Sequence, residues 1–162
     1  MKVLIADSSA VVVDRLITMM EEIPNVELLA PARHAPAVLE SIRRHDPDAL
    51  IVDVRIPGAK GTDLLQTIRQ AKPNAILIVL TNLAYPEYRK RLETLGADLC
   101  MDKSREFTHL LQLVGELASN SFDGKGPASK RGMRKQLATW KLRVGLQLCL
   151  FSLLGGSLFL SS

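Results

Sequence analysis

The stretch LIVDVRIPGAKG, Leu50 to Gly61, decides the fold. Leu50, Ile51, Val52 and Val54 surround one carboxylate, Asp53, and the chain then breaks at Pro57, Gly58 and Gly61. A short run so rich in branched apolar residues reads as a strand buried on both faces. An unpaired charge inside such a strand is costly, so Asp53 belongs at its wet end.

Working outward, similar apolar runs occur at Val3 to Ala6, Val26 to Leu29, Ala49 to Val54, Ala75 to Leu80 and Leu99 to Met101, each bounded by Asp, Pro, Gly or Asn. Between them apolar residues recur at spacings of three and four: Val12, Leu16, Met19, Met20, Ile23; Val38, Leu39, Ile42; Leu64, Leu65, Ile68; Tyr88, Leu92, Leu95; and Phe107, Leu110, Leu111, Val114, Leu117. Those spacings predict helices. Strict alternation of strand and helix implies a parallel sheet covered on both faces, because parallel neighbours need crossover helices. The fold class expected is α/β, a doubly wound (βα)5 domain.

In such sheets ligands gather outside the carboxyl ends of the strands. Just past those ends lie Asp7 with Ser8 and Ser9, then Asp53, then Thr81 with Asn82, then Asp102 with Lys103. Of these, the carboxylates of Asp7 and Asp53, the hydroxyl of Thr81 and the ammonium of Lys103 at one rim suit a hard cation beside a phosphoryl group. Each residue taken singly has a plainer reading: Asp7, Ser8 or Ser9 as a helix cap, Thr81 as a strand end, Lys103 as a loop cation. The conjunction at one rim favours a site.

The order of Asp7, Asp53 with Pro57 and Gly61, VLTN ending at Thr81 and Asn82, and GADLCMDKS with Lys103 resembles the receiver domain of bacterial two-component response regulators, in particular single-domain receivers with DKS after the last strand. The resemblance runs from about Met1 to Ser119. It implies a flavodoxin-like sheet of strand order 2-1-3-4-5, with Asp53 accepting a phosphoryl group from a histidine kinase or a phosphotransfer protein. It further implies Thr81 as switch hydroxyl, Lys103 pairing with the phosphoryl oxygens, and Mg2+ held by Asp7, Asp53 and the backbone carbonyl of Arg55. Three positions depart from the family pattern. Ser8 replaces a second acid and removes one metal ligand; Cys100 stands where an aromatic often reorients with the switch hydroxyl; Ser104 replaces a proline, so a cis peptide there has no support. The rival reading is a degenerate receiver that acts as a phosphorylation-independent interaction module.

Charge divides the chain. Residues 1 to 120 carry 14 Lys+Arg and 16 Asp+Glu, whereas residues 121 to 162 carry 7 basic residues and only Asp123. SFDGKGPASKRG, from Ser121, reads as a linker, and the expected organisation is a receiver over 1–120, a basic flexible linker over 121–140 and a hydrophobic C-terminal segment over 141–162. Val144 to Leu160 is a 17-residue run without a charge, about 25 Å as a helix and at the short limit for a bilayer. Lys135, Lys141, Arg143 and Trp140 before it fit a tether with the body on the cytoplasmic side. A helix docked on the body, or on a second copy, and an unordered tail are the other readings.

The tail is too short for an ordinary helix-turn-helix domain, so specific DNA binding is not expected; downstream signalling is expected to run through a protein partner. Cys100 and Cys149 suggest neither a disulfide framework nor a zinc site, and MKVLIADSS holds too short an apolar run for a secretory signal. The default setting is the cytoplasm. No Gly-x-Ser-x-Gly or phosphate-binding Gly-rich loop supports a hydrolase or nucleotide-binding enzyme.

Overall fold

The computed structural model describes residues 1–60, 62–83, 85–120 and 130–154. Five parallel strands alternate with helices: β1 (Lys2–Ala6), α1 (Ala10–Met20), β2 (Glu27–Leu28), α2 (Ala35–His45), β3 (Ala49–Val52), α3 (Asp63–Ala71), β4 (Ile76–Thr81), α4 (Pro86–Thr94), β5 (Leu99–Asp102) and α5 (Phe107–Asn120), followed by α6 (Lys130–Leu154). The sheet order is β2-β1-β3-β4-β5. This is the flavodoxin-like doubly wound fold that the alternation implies.

The pleat sorts successive strand residues onto opposite faces. Leu4, Ala6, Leu50, Val52, Leu77, Val79 and Cys100 pack with α2, α3 and α4. Val3, Ile5, Ala49, Ile51, Ile76, Ile78, Leu80 and Met101 pack with α1 and α5. Strands apolar at every position are therefore required, since both faces are dry. Two ends fall short of the sequence reading. β3 stops at Val52 because the Asp53 carboxylate and carbonyl accept from the Arg55 and Ile56 amides and turn the chain. β2 keeps only two residues, although single backbone bonds, Leu29 N–H to Val3 and Ala32 N–H to Ile5, extend its pairing.

Opposite the strands' carboxyl ends, Arg69 ties three segments together. Its guanidinium donates to the carbonyls of Gly96, Pro73 and Ala75 at 2.6–3.1 Å and to Asp98 at 2.7 Å. Gly96 turns with φ +110°, and a Cβ there would lie 3.2 Å from Arg69 Cβ.

The tail corrects one expectation. The flexible linker placed over 121–140 is helical from Lys130 onward; residues 121–129 lie outside the described residues. The reason is a stripe at spacings of four and three: Met133, Leu137 and Trp140 are buried in the cluster that holds Leu113, Val114 and Leu117 of α5. The basic side chains meet acids of the body. Arg143 pairs with Glu116 at 2.5 Å, Arg134 with Asp98 at 3.5 Å and Lys141 with Glu93 at 4.0 Å. Among the described residues no helix is long and apolar enough to cross a membrane. The tether expected over 144–160 thus finds no support in them, and residues 155–160 lie outside them.

Two measurements test this architecture. Arg69→Lys replaces a multi-acceptor fork by a point charge, and urea unfolding is expected to show a loss of about 1–3 kcal/mol. Trp140 is the sole tryptophan of the chain, so Leu137→Asp, which undocks α6, is expected to red-shift its fluorescence toward that of exposed indole.

Candidate functional site

Parallel register brings the rim residues level. Ala6 pairs with Val52, so Asp7 and Asp53 leave their strands side by side, and the Asp53 amide donates to the Ala6 carbonyl at 2.8 Å. Thr81 pairs with Asp102, and the Lys103 amide donates to the Thr81 carbonyl at 3.0 Å. All four side chains are buried: Asp7 2%, Asp53 4%, Thr81 0% and Lys103 7% exposed. Lys103 Nζ lies 2.5 Å from Asp7 Oδ2 and 2.5 Å from Asp53 Oδ2. One ammonium therefore neutralises half of a buried carboxylate pair.

The other carboxylate oxygens are held by the backbone. Asp7 Oδ1 accepts from the Ser9 amide and Asp53 Oδ1 from the Arg55 amide, each at 2.9 Å. Ser9 in turn caps α1, its hydroxyl accepting from the Val12 amide at 3.4 Å, so the plain reading of Ser9 as a cap holds. Ser8 is exposed at the site's lip. Thr81 Oγ1 accepts from the Leu83 amide at 3.1 Å and does not line the open cleft.

That cleft, about 500 Å³, is lined by Asp7, Asp53 and Lys103 together with Arg15, Arg55 and Asn82. Arg15 and Arg55 were not legible as site residues by side chain. Arg15 sits over the Phe107 ring at 4.4 Å, and Arg55 Nε lies 3.9 Å from Asp53 Oδ1. The signal for Arg15 is helical spacing: residues 11, 12 and 15 of the first turns of α1 line the same cleft. The two guanidinium groups give the lip a positive field above a buried pair of acids, which suits an incoming dianion.

The loop after Asp53 is shaped by Gly58, where the sequence reading chose Pro57 and Gly61. Gly58 has φ +81°, and a Cβ would sit 3.2 Å from Pro36 Cδ. Pro57 is tied by its carbonyl to the Ala35 amide at 2.8 Å, which anchors the loop to α2. Gly61 lies outside the described residues.

The residue set fits a hard divalent cation of the Mg2+ type. Asp7 Oδ2, though ion-paired, receives no directed hydrogen bond among the described residues. Two carboxylates, Asp7 and Asp53, line the cleft, and such a pair suits an ion that keeps several waters.

Ser104, at the usual proline position, is organised by a carboxylate. Asp102 Oδ1 accepts from the Ser104 and Arg105 amides at 2.7 and 3.1 Å, and the Ser104 bond holds this carboxyl below its usual range. No cis peptide occurs among the described residues. Cys100 is 2% exposed, and burial pushes its thiol up to about 11.

Residues 3–115 match the family described as the response regulator receiver domain. A protein-glutamate methylesterase/protein-glutamine glutaminase of Oleidesulfovibrio alaskensis is 36% identical over 78 residues, covering 48% of this chain and 21% of that protein. The non-phosphorylated receiver domain of the stress response regulator RcsB from Escherichia coli superposes with a TM-score of 0.67 at 25% identity, covering 74% of this chain and 93% of the other. The receiver domain of Francisella response regulator 1452 gives 0.66 at 24%, covering 74% and 98%. The chain spans about a fifth of the length of the curated relatives it matches.

Because the thiolate, not the thiol, is the nucleophile, Cys100 is expected to resist iodoacetamide in the folded protein at pH 8. Peptide mapping should find it alkylated only after unfolding in urea.

Proposed function

Because the chain belongs to the response regulator receiver domain family, we propose that Asp53 accepts a phosphoryl group from a phosphohistidine on a sensor kinase or a phosphotransfer protein. The carrying observation is Lys103 Nζ at 2.5 Å from both Asp7 and Asp53 beside an open cleft. Residues 3–115 form a receiver domain of the two-component type, a signalling module. The methylesterase and glutaminase activities in the relatives' names belong to proteins of which this chain matches about a fifth, and we carry neither over. The cytoplasm, where the phosphodonors named above are expected, remains the proposed setting.

The backbone selects the reacting atom. Asp53 Oδ1 is fixed by the Arg55 amide, which leaves Oδ2, paired with the ammonium at the end of the Lys103 four-carbon stem, as the oxygen able to exchange partners. Oδ2 attacks phosphorus in line; the P–N bond to the donor imidazole breaks as the P–O bond to Asp53 forms, and the imidazole departs with the electron pair. Lys103 moves its charge from the carboxylates onto the equatorial phosphoryl oxygens as they gain negative charge. Arg15 and Arg55 at the lip steer the anionic donor group in. Thr81 donates its hydroxyl proton to a phosphoryl oxygen of the product. The same Oγ1 accepts from the Leu83 amide, which couples the hydroxyl to the backbone just after β4.

Mg2+ is the proposed cofactor, with Asp7, Asp53 and the Arg55 carbonyl as its protein ligands. When bound, it supplies charge neutralisation at the phosphoryl oxygens. Ser8 leaves that ligand set one carboxylate short, so its affinity is expected to lie below that of a three-acid set. Asp53 and Lys103 lining one open cleft favour this reading over a phosphorylation-independent module.

The domain division proposed is a receiver over 1–120 followed by a short connection and the docked α6. Its output runs through a protein partner.

Incubation with acetyl phosphate and Mg2+ followed by intact mass tests the acceptor. Wild type is expected to gain the mass of one phosphoryl group, Asp53→Ala none, and Lys103→Ala is expected to react roughly a hundredfold more slowly. No adduct on wild type, or an adduct that survives Asp53→Ala, sinks the assignment.

A further inference from the structure

We propose that Glu106, fixed by Arg89, is the positioning residue of the phosphate-binding Lys103, and that this pair links the Lys103 loop to α4. The proposal rests on the reading of Asp53 as a phosphoacceptor.

The loop from Asp102 to Glu106 closes on itself through carboxylates. Glu106 Oε2 accepts from the Asp102 amide at 2.6 Å, and the Glu106 amide donates back to the Asp102 carbonyl at 3.0 Å. Together with the two bonds at Asp102 Oδ1, every backbone amide from Asp102 to Glu106 is engaged, that of Lys103 by Thr81. Lys103 is therefore presented from a turn with almost no torsional freedom. Its ammonium sits between two acids because the turn is fixed.

Glu106 also receives Arg89 of α4. Arg89 Nη2 donates to Glu106 Oε2 at 2.5 Å, while Nη1 donates to the Cys100 carbonyl at 2.5 Å. A guanidinium can hold two acceptors in one plane, which a lysine cannot. Both side chains are partly buried, at 32% and 24% exposure, so the pair is less screened than a surface pair. At Cys100 the side chain is too small and apolar to relay a ring movement; the link between the phosphoryl-binding loop and α4 runs instead through this charged pair. Glu106 touches neither Asp53 nor Asp7 in the bonds described, so it acts through the Lys103 turn.

The test compares wild type, Glu106→Ala, Glu106→Gln and Arg89→Met in the full chain. Phosphorylation rates are measured against acetyl phosphate concentration and, separately, against Mg2+ concentration. Glu106→Ala is expected to lower the maximal rate roughly tenfold or more while leaving the Mg2+ concentration for half-maximal rate unchanged. Glu106→Gln, which retains an oxygen for the Asp102 amide, is expected to recover part of that loss. Hydrogen exchange on the unphosphorylated proteins supplies an independent arm: the Asp102 and Lys103 amides are expected to lose protection in Glu106→Ala, and α4 amides in Arg89→Met. Wild-type rates in Glu106→Ala, or a Mg2+ requirement that shifts in step with the rate, overturn the positioning role. Failure of wild type to take a phosphoryl group defeats the acceptor reading alone, and exchange then decides the clamp: unchanged protection at 102 and 103 overturns it, lost protection upholds it.

Discussion

The Lys103 ammonium between two buried carboxylates is the interaction on which the rest of the structure depends. Three charges with a net of −1 sit where each side chain has under a tenth of its surface in water. Desolvating such a group is tolerated only with close pairing and directed hydrogen bonds. The fold supplies both by register: β1 and β3 deliver the acids together, β4 supports β5, and the turn after β5 delivers the cation. A slip by one residue in any of these ladders would separate the charges and turn the side chains to the wrong face. The dry sheet and its charged rim are thus one requirement.

What the sequence revealed and what it concealed follow different physics. Strands apolar at every position and helices with a three-four stripe are local signals, and parallel crossover logic turns them into the sheet. The rim followed from the same logic, because Asp7, Asp53, Thr81 and Lys103 each come just at or beyond a strand end. Bonds between segments distant in sequence were not legible. Arg69 meeting the Gly96 and Ala75 carbonyls, or Arg89 meeting Glu106, engages charged side chains that a linear reading leaves to solvent. The sequence marks Gly58 only as part of a chain break; its positive φ and the approach of Pro36 supply the reason for a glycine there.

The tail teaches the same lesson through charge. Its composition suggests a solvated basic linker before a segment that meets a lipid surface, docks on the body or on a second copy, or stays unordered. Three of its seven basic residues, Arg134, Lys141 and Arg143, are answered within the molecule, by Asp98, Glu93 and Glu116. Linker composition and a helical stripe overlapped over residues 130–140, and the stripe prevailed because Met133, Leu137 and Trp140 found an apolar face on α5. Burial of such side chains contributes a few kcal/mol in all, enough to order a helix that would be marginal alone.

A parallel sheet of five strands has two open borders, each able to recruit a strand from another chain. Here they are guarded by unlike means. At one border, β2 is only two residues long and offers almost no template. At the other, α6 is ion-paired with Glu93 of α4 and with Glu116 of α5, the helices on either side of β5. A helix held across that border leaves β5 less room to accept a strand from another chain.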